Sequence, residues 1–70
     1  DLSLKKPSKK KYNNVNFCNN VLVVKGVKIG NNTIIGPNTI IEHDVKIGEN
    51  CIIGSGVIIN NSLIGDRVVL

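Results

Sequence analysis

Seventy residues make one small domain, in a size range where the buried fraction of the chain is marginal. With one Phe, one Tyr and no Trp, the core falls to Ile and Val, and no run is long and apolar enough for a membrane-spanning helix. The formal net charge of +4 resides in residues 1–12, where Lys5, Lys6, Lys9, Lys10 and Lys11 stand against Asp1 alone, while the acids and bases after them balance.

Residues 1–14 read as a basic connecting arm. Pro7 and the lysine run oppose a packed element, so the arm is expected to have little regular structure and to lie in water. A basic run can bind nucleic acid or anionic lipid, but no aromatic residues alternate with these lysines to stack on bases, so no specific nucleic-acid partner is expected. The chain starts at Asp1 and stops at Leu70 in the middle of a repeat, and no signal-peptide pattern is present; a segment truncated at its C-terminal end is expected.

From Val15 onward a six-residue beat takes over. Phe17, Val23, Ile29, Ile35, Ile41, Ile47, Ile53 and Ile59 keep one phase, and Val15, Val21, Val27, Thr33, Thr39, Val45, Cys51 and Val57 keep another two residues earlier. Each repeat reads small, outward, large, glycine, any, turn residue. Alternation along a strand sends the small and large slots to one side and the residue between them to the other. The turn slot holds Asn20, Gly26, Asn32, Asn38, Asp44, Asn50 and Gly56, the residue types that enter the left-handed region at least cost. The phase predicts Phe17, Val23, Ile29, Ile35, Ile41, Ile47, Ile53, Ile59 and Ile64 inside, with Thr33, Thr39, Cys51 and Ser62. Repeats this short cannot bury an apolar side alone and must stack as a solenoid.

The pattern resembles the hexapeptide-repeat family, which implies an all-β fold over residues 15–70, a left-handed parallel β-helix of about three coils. Three repeats then make one coil, and reading by eighteens separates three faces. One carries Asn16, Ile34, Ile52 and Val69 outward, the next Leu22, Ile40 and Ile58, the third Lys28, Lys46 and Leu63. Stacked Ile columns form a contiguous apolar patch, so Ile34, Ile52, Ile40, Ile58 and Leu22 are the expected subunit interface, and the lysine face stays wet. The resemblance implies a homotrimer, with the corner at Gly36-Pro37-Asn38 and Gly54-Ser55-Gly56 turned to the partners. The corner carrying Val24, Glu42 and Asn60 has no glycine, and beside it Ile59–Ile64 is one residue short. Cys18 and Cys51 lie two coils apart, beyond disulfide reach, and free thiols fit a cytoplasmic protein.

The chemistry is thin. His43 is the one weak catalytic candidate, since hexapeptide acyltransferases often use a histidine base near a subunit interface; read on its own it is a turn residue in water and dispensable. A single histidine with Cys51 turned inward cannot hold a metal. The glycines follow aliphatic residues at corners with no helix behind them, so they form no phosphate loop. Ser55 and Ser62 have no readable base.

Val15–Val23, the Asp1-Leu2 arm and Asn61-Ser62-Leu63-Ile64-Gly65-Asp66 resemble the entry to the repeat domain of the bacterial bifunctional N-acetylglucosamine-1-phosphate uridylyltransferase/glucosamine-1-phosphate acetyltransferase family. This implies a role in making UDP-N-acetylglucosamine for cell-envelope polymers. Catalysis, Mg2+, UTP, acetyl-CoA and the small-molecule substrates would all lie outside these positions, leaving this segment as linker and trimerising scaffold. Another hexapeptide acyltransferase, the solenoid tail of a sugar-nucleotide pyrophosphorylase, and a non-catalytic assembly domain are the alternatives.

Overall fold

The computed structural model describes residues 3–7 and 11–70. The chain folds into ten short strands and no helix among the described residues: β1 (Leu4–Lys5), β2 (Asn16–Phe17), β3 (Leu22–Val24), β4 (Lys28–Ile29), β5 (Ile34–Ile35), β6 (Ile40–Ile41), β7 (Lys46–Ile47), β8 (Ile52–Ile53), β9 (Ile58–Ile59) and β10 (Leu63–Ile64). The strands are short because a turn interrupts every repeat. Positive φ occurs at each of Asn20, Asn32, Asn38, Asp44, Asn50, Gly26 and Gly56, and also at Asn14, Asn61 and Arg67. Asn, Asp and Gly tolerate this region for want of a bulky or branched Cβ substituent. The left-handed residue also ties its coil to the one before: Asn38 N–H donates to Asn19 C=O at 2.9 Å and Gly56 N–H to Pro37 C=O at 2.9 Å.

Three sheets form the faces of the solenoid. The orders are β2-β5-β8, β1-β3-β6-β9 and β4-β7-β10, and every pairing except β1 with β3 is parallel. Identical slots meet from coil to coil, as in Asn16↔Ile34↔Ile52, Leu22↔Ile40↔Ile58 and Lys28↔Lys46. The short repeat is absorbed without loss of register. Lys46 pairs Leu63 and Ile52 bridges Val69, each one residue nearer in sequence than the pairings above.

The inward column is tightly packed. Val23, Ile29, Ile35, Ile41, Ile47, Ile53 and Ile59 are buried, and Thr33, Thr39 and Cys51 are fully so. Buried hydroxyls need partners, and these find them in the neighbouring coil. Thr33 Oγ1 donates to Gly48 C=O and Thr39 Oγ1 to Gly54 C=O, each at 2.9 Å, and Cys51 Sγ lies 3.0 Å from Gly65 C=O. No fully buried side-chain nitrogen or oxygen among the described residues lacks a partner. Phe17 and Ile64, at the two ends of the column, are only half-buried against it. Ser62 is half-buried too, and its hydroxyl turns back to Asn60 C=O at 2.7 Å.

Corner glycines are required by close approach of the coils. A Cβ on Gly30 would sit 2.6 Å from the carbonyl carbon of Gly48, and one on Gly36 would sit 2.6 Å from that of Gly54. The corner without glycine closes differently. Val24 is 3% exposed, a second buried residue that extends β3, while Asn60 Nδ2 donates to Glu42 Oε1 at 3.0 Å.

The arm departs from a solvated connector. Leu4 and Lys5 pair antiparallel with Val24 and Val23, adding a strand to the upper edge of one sheet. Tyr12 is buried in the core cluster, its hydroxyl donates to Val27 C=O at 3.0 Å, and its ring meets Phe17 edge-on with centroids 5.5 Å apart. An open solenoid end exposes apolar residues and unpaired backbone, and terminal caps are how such folds cover them. Here the chain's two aromatic rings perform that role. Lys9 and Lys10 and the Asp1-Leu2 pair lie outside the described residues.

Candidate functional site

His43 sits in the turn between β6 and β7, with 43% of its side chain exposed and Nδ1 3.1 Å from Asp44 Oδ2. It lines an open groove of about 540 Å³ that runs along one corner across three coils. Its walls are residues 24–28, from the end of β3 through the turn to the start of β4, residues 43–46, from the turn after β6 to the start of β7, and residues 61–63, from the short repeat to the start of β10. Lys25, Lys28 and Lys46 line it with Leu63, facing a single carboxylate, Asp44. Ser62 is the only hydroxyl in this lining, and it is already committed to Asn60 C=O. A nucleophile must lie within hydrogen-bond reach of its base, and no Ser or Cys bond to His43 occurs among the described residues. Nor do three or more His, Cys, Asp or Glu side chains converge as they would around a metal, among the described residues. The groove is thus a cationic recess in which no bonded nucleophile–base pair occurs among the described residues.

A second surface is apolar. Ile34, Ile52 and Val69 are 41%, 47% and 71% exposed and stack in register on one face. On the adjoining face Ile58 is 65% exposed, while Ile40 is half-buried between Leu22 and Ile58 and Leu22 is half-buried beside Lys6 and Pro7 of the arm. The corner between the two faces is the one at Gly36 and Gly54, where the coils approach too closely for a Cβ at Gly36. The sequence reading singled out His43 and the Ile columns. It placed Lys28, Lys46 and Leu63 on one outward face by reading in eighteens, but did not single out Lys25 or the groove that joins it to that face. The two thiols stay apart and free, Cys18 exposed and Cys51 buried.

The bacterial transferase hexapeptide (six repeats) family matches residues 26–61, just over half of the chain and the most regular part of the solenoid. The chain belongs to that family. Its left-handed parallel β-helix accounts for the stacked parallel sheets, the in-register columns and the positive-φ corners of this hexapeptide-family chain. No curated protein and no solved structure matches it. Among the described residues no helix is long and apolar enough to cross a membrane.

Proposed function

We propose that this hexapeptide-family chain is the trimerising scaffold of a sugar-nucleotide transferase, of the type that joins uridylyl transfer to acetyl transfer in making UDP-N-acetylglucosamine. In this reading the uridylyl- and acetyl-transfer sites, with their Mg2+, UTP and acetyl-CoA, belong to parts of the polypeptide beyond residues 1–70, and the segment supplies none of the reacting groups. The observation that carries the scaffold role is the exposed Ile34–Ile52–Val69 column on a rigid in-register face. The short repeat Asn61-Ser62-Leu63-Ile64-Gly65-Asp66 supports the narrower assignment. Three copies would pack around the Gly36 and Gly54 corner, burying the Ile34/Ile52 and Ile40/Ile58 columns and leaving Lys28 and Lys46 in water.

Full burial of one Ile is worth roughly 1.5–3 kcal/mol, and a lysine ammonium placed there must be desolvated. Ile52→Lys is expected to dissociate the trimer, while Lys46→Glu leaves it intact. Sedimentation velocity on both variants measures this. A trimeric, equally stable Ile52→Lys chain would remove the apolar columns from the interface.

A further inference from the structure

Lys28 and Lys46 are partners in the parallel register of β4 and β7. Their backbones stand at the usual strand spacing of about 4.8 Å, both side chains are exposed, and neither makes an ion pair among the described residues. Like charges set directly opposite on neighbouring strands destabilise a sheet. Nothing in the fold requires lysine at these slots: the equivalent outward slots on the other two faces hold mostly aliphatic residues and the third rung of this same column holds Leu63. A third ammonium, that of Lys25, lines the same groove from the turn above and makes no ion pair among the described residues, and His43 lines it from the next coil with Nδ1 engaged by Asp44. The opposing charge in the lining is Asp44 alone. Leu63, the rung that follows Lys46 in this column, is 81% exposed and offers apolar surface beside the two lysines.

From this we infer that the corner groove is a binding site for a small phosphate monoester, its dianion held between Lys28 and Lys46 with Lys25 above and its carbon skeleton lying against Leu63. A dianion placed there relieves the like-charge stacking that the bare column carries. In the trimer proposed above this face stays in water, so the site rests on that choice of interface.

Thermal unfolding of the chain tests it. The probes are inorganic phosphate and glycerol 3-phosphate, with sodium chloride at matched ionic strength as the control for screening and phosphatidic acid vesicles as the lipid-borne form of the same group. Ligand that binds only the folded chain raises its midpoint with concentration. Both soluble probes are expected to raise the midpoint beyond the chloride control. Lys28→Gln with Lys46→Gln is expected to match or exceed the parent midpoint in anion-free buffer, since the repulsion is gone, and to bind either probe at least fivefold more weakly. Its sedimentation should equal that of the parent, which separates failure of this site from failure of the trimer. An equal anion response in parent and variant, a chloride response as large as the phosphate one, or binding to the vesicles alone would each overturn the proposal.

Discussion

Tyr12 is the residue on which the N-terminal end of the solenoid closes. Burial raises its phenol above the ordinary value of 10.0, because ionisation would place a charge among Val27, Phe17 and the core. The folded chain therefore keeps a proton that the unfolded chain releases near pH 10. The sign follows from linkage: the contribution to stability is fully present below the unfolded value and is lost as pH rises through the folded one. Tyr12 is the only tyrosine and there is no tryptophan, so the ultraviolet absorbance of tyrosinate reports this single group. Titration should show ionisation displaced above pH 10 and coincident with loss of the fold. Tyr12→Phe removes one hydrogen bond, a net loss of about 1 kcal/mol at neutral pH, and should flatten the alkaline decline. An ordinary titration with no accompanying unfolding would place the ring in water instead.

At the scale of the repeat, the corner column Gly30, Gly48 and Gly65 shows that glycine serves coil approach as well as turn conformation. These three have ordinary φ, and their role depends on what lies one coil away. A Cβ at Gly30 would meet Gly48 carbonyl carbon at 2.6 Å and Glu49 N at 2.7 Å, both backbone atoms, whereas one at Gly65 would meet nothing within 4 Å. Overpacking against groups that cannot yield costs roughly 1–3 kcal/mol. Gly30→Ala is thus expected to lower the unfolding free energy measured in urea by that amount, and Gly65→Ala to stay within about 0.5 kcal/mol of the parent. Equal effects at both positions would mean that local backbone preference, not coil spacing, fixes this corner. The strands, turn slots and coil register were legible in the sequence because each is set by a residue type recurring every six positions. Leu4–Lys5, Tyr12 and Val24 were not, because capping an end and closing an irregular corner happen once and leave no period to read. The Lys28, Lys46 and Leu63 column was legible by eighteens, but its union with Lys25 and His43 in one groove was not, because those two come from turns on different coils and spacing alone does not show how far a turn folds over the neighbouring face.

For the whole molecule, the rigid ladder of parallel rungs converts a choice of outward residue into a choice of surface. In-register stacking turns Ile34, Ile52 and Val69 into a continuous apolar strip and Lys28 with Lys46 into a charged one. The apolar strip is legible in the sequence by reading in eighteens. What covers it is not, because exposure in one chain is compatible with any partner of matching shape. The most direct measurement is hydroxyl-radical footprinting of side chains at concentrations above and below the association midpoint. Assembly through the two aliphatic faces should protect Ile34, Ile52 and Ile58 as copies associate into a particle three times the chain mass, and leave Leu63, beside the lysines, as reactive as in the single chain. Protection of Leu63 with unchanged reactivity at Ile34 and Ile52 would contradict it.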